Sequence, residues 1–382
     1  MANTNLANAK TAKNDEFYTQ YQDIQTEINA YLEYDPNVFR GKTVLLPCDD
    51  PEWSNFTKFF AQNFELLGLK KLISTSFAPE SKKFKAGYMP TLFETESPHF
   101  DQAKTQTHGK IFTLDHDTNA SGRIDIEDLQ WNYLQGDGDF RSKEICKLRD
   151  EADIIVTNPP FSLFREFLAW IMEANKQFII IGNMNAITYK EVFPLIKDNK
   201  IWLGNGFQKG NAYFRIVNER EYAGGVYDAE TGLVKFRNCC WFTNIDHGRR
   251  HQPMKLMTMA DNFKHSKHKE IRGLKEYFHY ENYDAIEIPY TDAIPDDYSG
   301  VMGVPISFLD KYCPEQFEII GTDSPYFINE LGIGRMGEKW IADYRKNGGT
   351  GHLTANMHSL CLYDNNGVPQ SVYKRILIRK KQ

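Results

Sequence analysis

The chain has 382 residues, 41% hydrophobic and 25% charged, which is ordinary globular usage and excludes a disordered tail protein or a collagen-like fibre. At roughly 150 residues per domain, that length predicts two to three domains, or one large α/β domain with an appendage. The formal charge of −6 argues against bulk coating of nucleic acid and leaves any phosphate binding to local Lys and Arg.

The first regular signal is Lys42 to Pro47, a short apolar run of buried-strand type. Asp50-Pro51 then fits a helix N-cap followed by proline. Phe56, Phe59, Phe60, Phe64 and Leu67 recur at helical spacing up to Gly68, and Leu69 to Phe77 reads as a second strand. Strand, helix and strand together make the building block of a parallel sheet. From Pro79 to Asp125 the Lys-rich and Thr-rich pattern predicts loops or an irregular insertion. Order returns with the strand Asp153 to Thr157 and a helix bearing Phe164, Phe167, Leu168, Ile171 and Met172 on one face. Phe178 to Ile181, a helix around Lys190 to Asp198 and a strand at Ile201 to Leu203 continue the alternation. Gly224 to Thr243 then reads as an antiparallel pair at the sheet's edge, with Cys239 to Phe242 packing on it. Beyond about residue 245 the alternation stops. Two regions are expected, 1–245 and 246–382, the second of mixed α/β type.

The strongest chemical signal is Asn158-Pro159-Pro160-Phe161 at the carboxyl end of a predicted strand, the edge where open α/β sheets bind ligands. Two consecutive prolines fix φ twice and hold the preceding residues extended. Such a turn presents the Asn158 side-chain oxygen and the Pro159 carbonyl as fixed acceptors, with the Phe161 ring as a stacking surface. That set suits an exocyclic amine on a purine, whose lone pair is delocalised into the ring. Two acceptors on its N–H bonds favour a more pyramidal nitrogen, with no metal or strong base required.

Asn158-Pro-Pro-Phe161 resembles the catalytic motif of S-adenosylmethionine-dependent adenine-N6 DNA methyltransferases. Asp15-Glu-Phe-Tyr-Thr-Gln-Tyr21, Cys48-Asp-Asp-Pro51 with Ser54-Asn-Phe56, and Gly303 to Tyr312 with Glu315 to Gly321 resemble the EcoRI-type adenine-specific family in particular. The resemblance implies a Rossmann-like methyltransferase sheet over residues 1–245 and a DNA-recognition region over 246–382. It also implies that Phe17, Tyr18 and Thr19 close over the cofactor and that Asp49, Asp50 and Pro51 lie beside its methionine part. Asp50 is open between that contact and the helix cap. Asp139 and Phe140, in Gly138-Asp-Phe140, would meet the cofactor's adenine. The implied reaction flips an adenine out of duplex DNA and methylates its amine, with Asn158 to Phe161 holding the base. A restriction endonuclease acting on the same site, without direct contact, is the implied companion. The loop after the first strand lacks the family's broader Gly-x-Gly, and no acid follows Ser76-Phe77 to hold a ribose. Alternatives sharing the motif are an RNA adenine or protein-amide methyltransferase, and a non-catalytic nucleic-acid-binding protein on the same scaffold.

Phosphate contacts are expected from Arg249, Arg250, Lys264, Lys267, Lys269 and Arg272, in a stretch where only Asp261 and Glu270 are acidic, and from the basic residues after Tyr373. Six scattered cysteines without a Cys-x-x-Cys pair read as reduced thiols. His247 with His251 and the string Asp115-His116-Asp117 read as polar segments, so no metal is expected. No apolar run reaches the roughly 18 residues of a membrane span. The start Met-Ala-Asn-Thr-Asn-Leu has no apolar signal core, so a cytoplasmic location is expected.

Overall fold

A computed structural model describes residues 18–49, 54–78, 95, 97–207, 211–215, 227–228 and 230–381. The chain forms two compact units, Met1–Asn185 with Ile201–Gly248, and Ala186–Lys200 with Arg249–Gln382.

In the first unit β1 (Tyr18–Thr19) leads into α1 (Tyr21–Tyr34), which buries Ile24, Ile28 and Tyr31 along one face. β2 (Thr43–Leu46) is buried throughout, as befits a central strand covered on both faces. α2 (Asn55–Gln62) starts at Ser54, whose Oγ accepts from Phe56 N at 3.0 Å, and α3 (Phe64–Leu67) stops at Gly68 in the left-handed region. The chain returns through β3 (Lys71–Thr75), β4 (Lys110–Leu114), β5 (Gln130–Tyr133), α4 (Lys143–Glu151) and β6 (Ile154–Thr157). A single 3-10 turn, Phe161–Leu163, opens α5 (Phe164–Glu173) before β7 (Gln177–Asn183). β8 (Trp202–Leu203), β9 (Ala212–Arg215), β10 (Tyr227–Asp228), β11 (Leu233–Phe236) and β12 (Cys239–Thr243) complete the unit.

Eight of these strands form one sheet in the order β5-β4-β3-β2-β6-β7-β12-β8. β3, β2, β6 and β7 are parallel, and antiparallel strands flank them on both sides. Alternation within the strands divides the core. Val44, Leu46, Leu72, Ile154, Val156, Ile179, Ile181 and Trp241 pack with Ile24, Ile28, Phe56, Phe59 and Phe60 of the α1–α2 layer. On the other face Phe164 of α5 lies against Phe242, with ring centroids 5.0 Å apart. α4 joins α5 there, through Arg149 to the Trp170 carbonyl at 2.9 Å and the Trp170 indole N–H to Cys146 Sγ at 3.3 Å. Each fully buried large apolar side chain contributes roughly 1.5–3 kcal/mol, so the two layers hold the sheet rigid. A second, four-stranded antiparallel sheet, β1-β9-β11-β10, belongs to the same unit. Glu27 of α1, fully buried, secures the segment leading to it by accepting from Asn205 N and Gly206 N, each at 2.9 Å, and from Tyr31 OH at 2.8 Å.

The second unit contains α6 (Phe193–Lys197), α7 (Met259–His265), β13 (Ile286–Glu287), β14 (Met302–Pro305) and β15 (Phe317–Thr322). α8 (Ile328–Leu331), α9 (Glu338–Lys346), β16 (Cys361–Tyr363), β17 (Pro369–Ser371) and β18 (Arg375–Lys380) follow. Its main sheet has the order β13-β14-β18-β15, and β16 pairs with β17. The stretches Gly303 to Tyr312 and Glu315 to Gly321 fall on β14, a 3-10 segment and β15.

Several expectations are revised. The stretch called irregular holds β4, and β5 lies just beyond it, together extending the main sheet. The run Leu233 to Thr243 is not one edge pair: it breaks at Arg237-Asn238, sending β11 to the small sheet and β12 between β7 and β8. Phe242 and Thr243 therefore lie one strand in from the edge, paired with β8, while Cys239 to Trp241 pair with β7. The helix expected to continue the alternation after β7 is α6, which packs in the second unit. Among the described residues no helix is long and apolar enough to cross a membrane.

Candidate active site

In the main sheet β2 is followed in sequence by its neighbour on one side, β3, while its neighbour on the other side is β6. The connections therefore diverge at β2 and β6, and open α/β sheets bind ligands at the carboxyl ends of such a pair of strands. The loop after β2 carries Asp49, and the loop after β6 begins at Asn158. A buried hydrogen-bond network spans the two. The Asp49 carboxylate accepts from Thr157 Oγ1 at 2.6 Å and from Ser54 Oγ at 2.7 Å, and the Asp49 carbonyl accepts from Ser74 Oγ at 3.0 Å. Thr57 and Ser74 hydroxyls lie 2.8 Å apart beneath it. A carboxylate in an interior is costly without donors, and the hydroxyls of Thr157 at the end of β6 and Ser54 at the start of α2 supply them.

β1 is tied to the same place. Asn55, next to Ser54, donates from Nδ2 to the Thr19 carbonyl at 2.7 Å. Thr19 is buried, and among the described residues its Oγ1 has no hydrogen-bond partner, unusual for a buried hydroxyl. In the first turn of the adjoining α1, burial pushes the Asp23 carboxyl up to about 6.

Pro159 is buried, while Asn158, Pro160 and Phe161 are half-buried, and Asn158 Oδ1 itself is buried. Phe161 leans on the core and meets Phe236 of β11 edge to face. Gly138, at φ +85°, is pressed against the end of β3: a Cβ there would lie 2.2 Å from the Ser76 carbonyl. Only glycine allows that approach. It brings Asp139 to the carboxyl edge beside β3, where Asp139 is gripped by Arg141 through contacts of 2.9 and 2.6 Å. Phe140 points into the core against Phe167 and Trp170, at 5.1 and 5.6 Å.

Tyr18, Thr19, Asp49, Asp139, Phe140 and Asn158 to Phe161 thus share one unit, with all but Tyr18 and Phe140 at or beside the sheet's carboxyl edge. Phe17, Asp50 and Pro51 lie outside the described residues, and the cap of α2 is Ser54. Ser54 and Asn55 stood out in sequence only as part of the stretch Ser54-Asn-Phe56, with no role attached, and Thr157 only as the end of a predicted strand. Their partners lie up to 108 residues away, beyond the reach of local pattern. A cavity of about 610 Å³ lies elsewhere, on β4 and β5, lined by His99, Thr113, Gln130 and Asn132 among others. It is three to four strand spacings from β6, about 14–19 Å, and contains none of the expected site residues.

The expected phosphate contacts separate. Lys264, Lys267, Lys269 and Arg272 are exposed on and after α7, with Lys267 paired to Asp292 at 2.7 Å. Arg249 is half-buried, and Arg250 is buried with its guanidinium on Asn199 Oδ1. Of the last basic residues, Arg375 is half-buried and paired with the buried Glu287, and Lys380 pairs with Asp296 at 2.5 Å. These serve the unit's own packing. His247 is buried with Nε2 3.0 Å from the Leu203 carbonyl, whereas His251 pairs with Glu315 at 2.9 Å. Asp117, Asn119, Ser121 and Asp128 have the spacing of a cation-ligand loop. Here Asp117 accepts from Ser121 N and Gly122 N, and Asp128 from Thr118 N, Asn119 N and Asp125 N. Among the described residues no group of three or more His, Cys, Asp or Glu is arranged to hold a metal ion.

A family model described as "Adenine-specific methyltransferase EcoRI" matches residues 5–381. The type II methyltransferase M.EcoRI of Escherichia coli is 42% identical over 318 residues, 82% of this chain and 88% of that protein. M.MpnI of Mycoplasma pneumoniae is 33% identical over 317 residues, covering 82% and 83%. M.MgeORF184P of Mycoplasma genitalium is 32% identical over 319 residues, covering 82% and 84%. No solved structure matches.

Proposed function

The chain belongs to the EcoRI family of adenine-specific methyltransferases, and from that premise we propose that it methylates the exocyclic amine of an adenine flipped out of duplex DNA. The observation that carries this reading is the position of Asn158-Pro-Pro-Phe161 after β6, fastened through Thr157 to Asp49 after β2. We read the eight-stranded sheet as Rossmann-like and as the catalytic region of residues 1–245. In support, its parallel centre is flanked by a reversed strand, β12, inserted between β7 and β8. Residues 246–382 are read as the DNA-recognition region.

The residues fit S-adenosylmethionine. The buried Thr19 hydroxyl, which has no partner among the described residues, supplies a polar atom for a ligand, and Asp49 and Asp139 bring carboxylates suited to the ammonium, sulfonium and amine groups of that cofactor. When bound, the cofactor supplies an electrophilic methyl group. The protein's own part is alignment. Asn158 Oδ1 and the Pro159 carbonyl accept the two N–H bonds of the amine, directing its lone pair outward. Phe161, supported from behind by Phe236, offers its ring to the extruded base. Extrusion costs on the order of a few kcal/mol, which stacking and the two acceptors partly offset. Proximity then accounts for most of the rate.

The test is transfer of labelled methyl from S-adenosylmethionine to unmethylated duplex DNA, with RNA and protein in parallel and the product identified by mass spectrometry. N6-methyladenine in DNA alone is expected. Label in RNA or protein, or none from folded enzyme, would overturn the reading. Asn158→Ala should lose methylation by at least about 100-fold while DNA binding is retained.

A further inference from the structure

We infer that Thr157 is a positioning residue, which sets Asn158 in register with the cofactor loop by anchoring its own strand end to Asp49. The inference rests on the reading of Asn158 to Phe161 as the base-binding motif.

Thr157 is the last residue of β6 and fully buried, and Asn158 is its covalent neighbour. Its hydroxyl donates to Asp49 Oδ2 at 2.6 Å, short enough for a charge-assisted bond. The other oxygen of the same carboxylate is held by Ser54, the N-cap of α2, and the Asp49 carbonyl is held by Ser74 at the end of β3. Asn55 adds the link to Thr19 on β1. One residue thus collects these ends: the Asp49 carboxylate joins the end of β6 and the start of α2, and its carbonyl adds β3. Of these contacts, Thr157 alone leads directly into the residues that hold the base. Backbone pairing of β2 with β6 is recorded at Val44 with Ile154 and Leu45 with Ile155, two residues short of Thr157. The side-chain bond therefore extends the join with β2 beyond the β2–β6 ladder, at a residue whose other side still pairs with Ile180 of β7, to where the chain turns toward Asn158. A displacement of about 1 Å between reacting groups can cost on the order of 100-fold in rate, so a tether at this point governs turnover more than affinity.

The experiment compares Thr157→Val, which keeps the branched shape but not the hydroxyl, with Thr157→Ser, which keeps the hydroxyl. Methyl transfer is measured at saturating cofactor and DNA, cofactor affinity by calorimetry, DNA affinity by anisotropy, and folding by thermal melting. For Thr157→Val, kcat should fall on the order of 100-fold while both affinities stay within about threefold. Thr157→Ser should recover kcat to within about tenfold of wild type. Should the valine variant not fold, Thr157→Ser against Thr157→Ala gives the same contrast, since the two differ by one oxygen. Equal kcat in the hydroxyl-bearing and hydroxyl-lacking variants would overturn the inference, as would loss of cofactor affinity matching the loss of kcat. Wild-type enzyme that leaves DNA unmethylated would instead overturn the reading beneath it.

Discussion

Phe161 meets Phe236 edge to face, with ring centroids 6.3 Å apart and planes at 87°, so the last residue of the Asn158–Phe161 motif leans on the small sheet. The contact continues through Phe214 to Phe207, which stacks on Trp241, and Trp241 in turn meets Phe56 of α2. The small sheet is thereby joined to the main core by rings. An edge-to-face pair contributes about 0.5–1.5 kcal/mol beyond its buried area. Phe236→Leu keeps the apolar character and loses that geometry. Its urea midpoint should show a loss of about 1 kcal/mol, accompanied by slower methyl transfer at saturating substrates. A variant with wild-type stability and rate would show that Phe161 needs no such support.

The Asp23 carboxyl gives the enzyme a pH-dependent stability term. Burial raises it from 3.8 to about 6, so the folded chain holds this proton more tightly than the unfolded chain does. The stabilisation is fully present below about pH 4 and is lost as pH rises through about 6. Asp23→Asn, neutral at every pH, should melt higher than wild type near pH 8 and almost level with it near pH 4. Melting curves for both proteins across that range check this, and a constant difference would mean that Asp23 titrates normally.

β2, β6 and β7 were legible because strands covered on both faces read as unbroken apolar runs. β4, Lys-Ile-Phe-Thr-Leu, and β5, Gln-Trp-Asn-Tyr, were not: they are short, alternate toward solvent and sit among polar loops. The Asn158–Phe161 motif announced itself by local chemistry, two prolines and an amide after an apolar run. The role of Asp49 as a meeting point for Ser54 and Thr157 depends on a partner 108 residues away. Periodicity carries no information about such a partner. The same limit applies to Arg250, which reads as a surface cation until Asn199, 51 residues earlier, is seen to hold it.

Arg375 also left the list of surface cations, half-buried with its guanidinium on a buried carboxylate. Its guanidinium grips Glu287 through Nε at 3.0 Å and one terminal nitrogen at 2.5 Å, and Tyr280 OH donates to the same carboxylate. Both partners are largely withdrawn from solvent, at 12% and 5% side-chain exposure. Removing one charge strands the other, which costs about 3–5 kcal/mol for a buried pair. Arg375→Met should therefore unfold at markedly lower urea, and adding Glu287→Leu should restore much of the loss. A cost for Arg375→Met below about 1 kcal/mol would place the pair in effectively aqueous surroundings.

Lys264, Lys269 and Arg272 are exposed on or just after α7, whereas Arg250 is buried and Lys267 is engaged with Asp292. If the exposed three meet phosphates, each releases counterions on binding, and each substitution by alanine should reduce the slope of log affinity against log salt by about 0.9. The fall should be the same for any duplex sequence, because phosphate contacts orient the protein without reading bases. Arg250→Ala should instead lower thermal stability by removing the hold on Asn199, with the salt slope unchanged. Anisotropy titrations over a range of salt concentrations separate these outcomes. A salt slope that ignores Lys264, Lys269 and Arg272 but falls with Arg250 would mean that the DNA approaches a different face of the second unit.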